Sequence, residues 1–150
     1  MKTLEFKIAI NINPEKVWDT LWDEESYKAW TRPFCEGSFY KAENFTEGGK
    51  IHFLTPDGYG MYSLIDKIET NKLLSFKHIG DVKNFEELPI DQETKTWSNA
   101  MEIYELTPVD NGTELKVKVD VVEQHSDFMN NAFPLALAEL KKLAESQQTK

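Results

Sequence analysis

Cysteine and arginine are almost missing: the 150 residues hold one of the first, Cys35, and Arg32 is the single example of the second. One cysteine cannot close an internal disulfide or build a cysteine metal cluster, which excludes a disulfide-stapled secreted domain and fits a reducing compartment. No His or Lys adjoins Cys35 to activate its thiol, so a structural role is expected for it. Basic residues as a whole are few, 17 against 26 acidic, for a formal charge of −9. Contact with a nucleic-acid backbone needs clustered Lys and Arg to displace counterions, so no nucleic acid is expected as a partner. The same balance works against adsorption to anionic membranes. Long hydrophobic runs are missing too. Met1 to Ile12 alternates charged and apolar residues, unlike a signal peptide or a membrane span. The expectation is a cytoplasmic protein with no stable membrane insertion.

Signatures of catalysis are also missing. His52, His78 and His125 stand far apart and outside any HExxH or cysteine-rich pattern, so no metal is expected. Gly48-Gly49 has neither the length nor the Lys-Ser/Thr of a phosphate-binding loop and reads as a hairpin turn. No Gly-x-Ser-x-Gly elbow presents a nucleophile, which argues against a hydrolase. No cofactor is expected.

What the sequence does have is apolar patterning and aromatic bulk: four Trp, nine Phe and five Tyr. A chain of this length buries roughly 70% of its unfolded surface, enough for one sizeable core. Leu4, Phe6, Ile8 and Ile10 fall on alternate positions, the period of a half-buried strand. Asn13-Pro14-Glu15 is a helix start, and Val17, Trp18, Leu21 and Trp22 share one face of the helix it opens. A second short helix is expected from Glu24 to Trp30, ended by Arg32-Pro33. Turn signals at Glu47-Gly48-Gly49, Pro56-Asp57-Gly58, Thr70-Asn71-Lys72 and Asp110-Asn111-Gly112 then punctuate a meander. Its strands are expected near 38–45, 50–54, 60–69, 73–79, 96–107 and 113–122, with Asn111-Gly112 making the last two antiparallel neighbours. The acidic stretch from Asp81 to Lys95 reads as a loop, a candidate flap. A final helix is expected from Ser126-Asp127 to about Ser146, interrupted or bent near Pro134, with Phe133, Leu137, Leu140 and Ala144 as its buried stripe. No repeat, low-complexity tract or linker divides 1–150, so a single domain is expected.

This order predicts an α+β fold: a curved seven-stranded antiparallel sheet wrapped around a long C-terminal helix, with two short helices after the first strand. One helix does not fill a strongly curved sheet, and the space left over is where small-molecule sites form. Strand parity places Phe53, Leu64, Phe76, His78, Trp97, Met101, Ile103, Val119 and Val121 inward, facing Phe128, Met129, Phe133 and Leu137 of the last helix. Trp30 and Phe34, flanking Arg32, mark an entrance where an aromatic wall meets one cation. The candidate ligand-binding residues are therefore Trp30, Phe34, Phe53, Leu64, Phe76, His78, Trp97, Met101, Phe128, Met129, Phe133 and Leu137. No catalytic residue is assigned. The sharpest catalytic idea is His78 as a general acid or base, with Glu102 or Asn99 on a nearby strand.

Ile10-Asn11-Ile12-Asn13-Pro14-Glu15-Lys16-Val17-Trp18, Leu21-Trp22, Tyr27 and Trp30, the Glu47-Gly48-Gly49 turn and Leu140-Lys141-Lys142-Leu143-Ala144-Glu145 together resemble the START-like superfamily. Within it the chain looks like bacterial homologues of the C-terminal domain of the heat-shock-protein-90 ATPase activator. The resemblance runs from about Phe6 to Glu145 and implies the helix-grip fold. It implies less about activity, because members of the superfamily bind lipids, hormones and polyketides, catalyse cyclisation, or bind chaperones. Three expectations follow: binding of a small apolar or amphipathic ligand, contact with a heat-shock-protein-90 homologue in a stress response, or a polyketide cyclase or dehydratase activity. The oligomeric expectation is a monomer or a homodimer.

Overall fold

A computed structural model describes residues 1–146. Strand β1 (Lys2–Ile10) leads to α1 (Pro14–Trp22) and α2 (Glu24–Trp30). Then come β2 (Phe39–Ala42), β3 (Lys50–Leu54), β4 (Gly60–Glu69), β5 (Leu73–Lys83), β6 (Glu86–Glu87), α3 (Gln92–Lys95), β7 (Met101–Val109), β8 (Gly112–Val121) and α4 (Ser126–Glu145). Seven strands form one antiparallel sheet in the order β1-β8-β7-β5-β4-β3-β2, and β6 pairs with the end of β5 as an eighth. The fold is the expected α+β arrangement, with two short helices after the first strand and the long helix last.

Local chemistry accounts for the helix starts. The Asn13 side chain accepts from the Lys16 amide at 2.9 Å with Pro14 in the first helical turn, and Asp23 does the same for the Ser26 amide at 3.1 Å. At the β7–β8 hairpin Asn111 takes φ 68°, the left-handed conformation that Asn tolerates better than most residues. Two departures from the expected elements follow from turns of this kind. The stretch from Asp81 to Lys95 is not one loop: β5 runs on to Lys83, Asn84 and Phe85 turn at positive φ, β6 pairs back, and Asp91 caps the single turn of α3. Residues 96–99 are a turn rather than strand, because Asn99 at φ 74° reverses the chain just before β7. Helix α4 runs through Pro134 without interruption, although the ring removes the bond to the Asn130 carbonyl.

The core lies between the concave face of the sheet and the three main helices. Trp22 stands edge-on to Phe76 and Tyr104, with centroids 5.5 and 5.1 Å away, and Trp30 donates its indole N–H to the Leu21 carbonyl at 3.0 Å. Phe133 of α4 stacks on Phe6 at 4.9 Å and meets Phe34 edge-on at 4.8 Å. Aromatic pairs of this geometry contribute about 0.5–1.5 kcal/mol each beyond area burial. The last turn of α4 is fastened to the β1–α1 corner: Lys141 Nζ donates to the Ala9 carbonyl at 2.8 Å, and Glu145 accepts from the Asn11 amide at 2.8 Å.

The ladder between β4 and β5 shows which face each residue takes. Leu64 is opposite Lys77 on the outer face, while Ser63 and Ile65 on either side are wholly buried. The inward placement expected for Leu64 is thus wrong by one residue. Phe76→Ala is expected to lower stability by about 3–5 kcal/mol in urea unfolding, as for a buried aromatic. Leu64→Ala is expected to cost about 1 kcal/mol or less. Equal losses would contradict this assignment of faces.

Candidate functional site

The sheet curls away from α4 more than side chains can fill. Two adjoining chambers result, of about 190 Å³ and about 280 Å³. An apolar cavity of roughly 150 Å³ already accommodates a benzene-sized guest. Met61, His78, Glu102, Phe128 and Met129 line both chambers. The first is lined further by Tyr27, Trp30, Phe34, Phe53, Tyr104 and Phe133, with Thr31, Ser38, Leu54 and Thr55 among them. The second is bounded by Trp97, Asp81, Asp120, Val119 and His125. Phe128 and Tyr59, each about half exposed at 49% and 48%, stand at the solvent side.

The polar groups form a chain through the wall. Ser63 Oγ lies 2.6 Å from His78 Nδ1, and Glu102 Oε1 lies 3.1 Å from His78 Nε2. With the proton on Nε2, His78 donates to Glu102 and accepts from the Ser63 hydroxyl. Tyr104 donates its hydroxyl to Glu102 Oε2 at 2.5 Å. Burial pushes the Tyr104 and Tyr27 phenols upward, and the Glu102 carboxylate adds to both, so each keeps its proton. The order Ser, His, carboxylate is that of a hydrolytic triad, but Ser63 is fully buried and lines neither chamber, so it orients the imidazole rather than attacking a substrate. Tyr27 is 8% exposed, lines the first chamber, and its hydroxyl has no hydrogen-bond partner among the described residues.

Of the residues expected from the sequence, Trp30, Phe34, Phe53, His78, Phe128, Met129 and Phe133 line the first chamber, and Trp97 lines the second. Four line neither. Leu64 is on the outer face, and Phe76 is fully buried behind the wall, edge-on to Phe53 at 5.1 Å. Leu137 packs into the core near Phe6 and Ile8. Met101 and Ile103 pair with Lys77 and Lys118 on the outward phase of β7, whose buried phase is Tyr104 and Leu106 with Glu102 in step. A glutamate on the buried phase runs against polarity patterning, and only Tyr104 and Leu106, two and four residues on, carry a signal for it. Arg32 pairs with Glu36 at 3.8 Å and lines neither chamber, so the expected cation at the entrance is not there. Of the two partners considered for His78, Glu102 makes the side-chain contact, while Asn99 meets it through the backbone, its N–H donating to the His78 carbonyl at 2.7 Å.

Asp81 reaches the wall through an irregularity in the ladder. Between Tyr62 and Ser63 the pairing slips from Gly80 to His78, leaving Ile79 unpaired. Residues three apart on a regular strand face opposite ways, yet His78 and Asp81 both line the second chamber. Among the described residues no three His, Cys, Asp or Glu side chains converge as a metal set, and no helix is long and apolar enough to cross a membrane.

A curved antiparallel sheet gripping a long C-terminal helix, with a cavity between them, defines the START-like class. Within it, the family model described as activator of Hsp90 ATPase homolog 1-like protein matches residues 11–145, and the chain belongs to that family. Comparison with curated proteins returns no match. Protein MLL2253 from Mesorhizobium loti is 17% identical with a TM-score of 0.73, the alignment covering 97% of this chain and 98% of that one. The Aha1 dimer from Colwellia psychrerythraea is 22% identical with a TM-score of 0.69, covering 97% of each chain. DynU16, from the dynemicin biosynthetic locus, is 13% identical with a TM-score of 0.71, over 98% of this chain and 48% of that one. At these identities the likeness is one of fold.

Burial raises the Asp81 carboxyl above its usual range, and Asp91 and Glu93 add to this, with a hydrogen bond from Thr94 opposing them. The folded state therefore holds a proton there that the unfolded state has lost, and the stability this contributes falls as pH rises through that window. Asp81→Asn is expected to raise the midpoint of thermal unfolding at pH 7 and to change little at pH 3, measured by calorimetry. A larger gain at pH 3 would contradict the assignment.

Proposed function

We propose that the protein binds a small hydrophobic or amphipathic molecule in the cavity between the sheet and α4. The observation that carries this reading is the aromatic-rich chamber with the Tyr27 hydroxyl on its wall, an oxygen that no described residue pairs and that is not sealed into the core. That hydroxyl both donates and accepts, so a ligand polar group or a water in the chamber can pair with it. Apolar walls with a few placed polar groups are the usual makeup of a ligand site. His78 has both ring nitrogens engaged, by Ser63 and Glu102, so a cyclase or dehydratase step through it would first break one of these contacts.

The test is a thermal-shift screen of apolar and amphipathic compounds, followed by titration of hits against indole fluorescence, since Trp30 and Trp97 line the two chambers. Saturable binding is expected, and Met129→Trp, which fills the shared wall, is expected to weaken it at least tenfold while the chain still unfolds cooperatively. No stabilisation by any compound, with interior resonances unmoved in the NMR spectrum, would defeat the reading.

Family membership favours a second reading, contact with a heat-shock-protein-90 homologue. A surface groove of about 620 Å³ between Trp18, Trp22, Tyr40 and Phe45, edged by Asp19, Asp23 and Glu24, offers an acidic and aromatic face for it. Co-purification at low salt that weakens as salt is added, with a change in the chaperone's ATPase rate, is the expected outcome. An unchanged rate with no co-purification at low salt would remove this reading.

A further inference from the structure

Charge is distributed unevenly along the cavity. Among the described residues neither Lys nor Arg lines either chamber, while Asp81, Glu102 and Asp120 all line the second. The two histidines there are the only described lining groups able to carry positive charge, and both ring nitrogens of His78 are already held, by Ser63 and Glu102. An anionic headgroup entering this space would find three carboxylates and no fixed cation. Its charge would be desolvated without compensation, the costliest outcome for a buried ion.

A cation meets the opposite situation. Asp120 is occupied as a structural acceptor, by the Thr3 hydroxyl at 2.6 Å and the Met101 amide at 2.9 Å, so it supplies charge rather than a free site. Glu102 accepts one bond on each oxygen, and a carboxylate has about four acceptor positions, so capacity remains on the cavity side. Asp81 sits at the exposed rim, placed there by the slip in the β4–β5 ladder, with Asp91 and Glu93 adding negative potential. Trp97 on the same wall offers an aromatic face, a surface that attracts organic cations. The aromatic chamber beyond Met61 and Met129 takes an apolar tail, and the Tyr27 hydroxyl is an acceptor within it.

We propose that the ligand is a cationic amphiphile, an ammonium or similar organic cation on an apolar tail, with its head between Asp81 and Glu102 and its tail among Trp30, Phe34 and Phe133. This rests on the cavity-binding reading above and adds the sign of the headgroup to it.

The test compares decylamine, decanol and decanoate as probes, below their aggregation concentrations, by calorimetric titration at pH 8, where ordinary imidazoles are neutral. Decylamine is expected to bind about tenfold tighter than decanol, and decanoate more weakly than either, with the amine preference reduced by added salt. Asp81→Asn and Glu102→Gln are each expected to reduce the ratio of amine to alcohol affinity several-fold. If decanoate binds as tightly as decylamine, or neither variant alters the ratio of amine to alcohol, the cation inference fails and the cavity-binding reading stands. If none of the three binds, the cation inference fails, and the cavity-binding reading is decided separately by the thermal-shift screen. Should Glu102→Gln disturb folding through its contacts with His78 and Tyr104, Asp81→Asn at the exposed rim decides the question alone.

Discussion

Between Tyr62 and Ser63, and again between Ile65 and Lys67, the ladder joining β4 to β5 slips by one residue. Each slip adds a residue to one strand without a partner on the other, which bends the pair and increases its twist. The cavity follows from this. A sheet that curls this strongly leaves more volume on its concave side than one twenty-residue helix occupies, and Tyr27 and Trp30 of α2 line part of what remains. The same slip brings Asp81 onto a wall that strand alternation would have denied it. Curvature and chemistry at this site thus share one cause.

Glu102 is the electrostatic centre of that wall. A partly buried carboxylate is tolerated only when donors meet it, and here His78 and Tyr104 do so from the neighbouring strand and from two residues along its own. Ser63 in turn fixes the imidazole. Among the described residues the wall carries phenols and two imidazoles, its fixed charges are negative, and its remaining surface is mostly aromatic and aliphatic.

Much of this was legible in the linear chain. The strands from β1 to β5, both short helices, the β7–β8 hairpin and α4 were visible because alternation, caps and turn residues act within a few residues of one another: Asn13 with Lys16, Asn111 with Gly112, Phe133 with Leu137. The faces of β4 and β7 were not legible. Leu64 and Met101 are apolar residues turned outward, and Glu102 is a charged one turned in, so hydrophobicity pointed to the wrong phase. What corrects it is the register against β5, set by pairing with residues a dozen or more positions away and by the reversal at Asn99. The two-residue strand β6 was hidden for a similar reason, since Glu86 and Glu87 have no strand propensity of their own and pair only because the turn at Asn84-Phe85 returns them to β5.

The sequence by itself determined the order of the elements, the aromatic character of the interior and the exclusion of metal, phosphate-loop and elbow-serine motifs, all of which depend on residue type and short spacing. Only the tertiary structure decided which aromatic residues line a cavity and which, like Phe76, fill the core behind it. It alone brought Ser63, His78, Glu102 and Tyr104 into one hydrogen-bonded chain and set Tyr27 on the wall of the first chamber. The physical reason is that burial and pairing are properties of the space between strands, and that space is set by where the ladders slip.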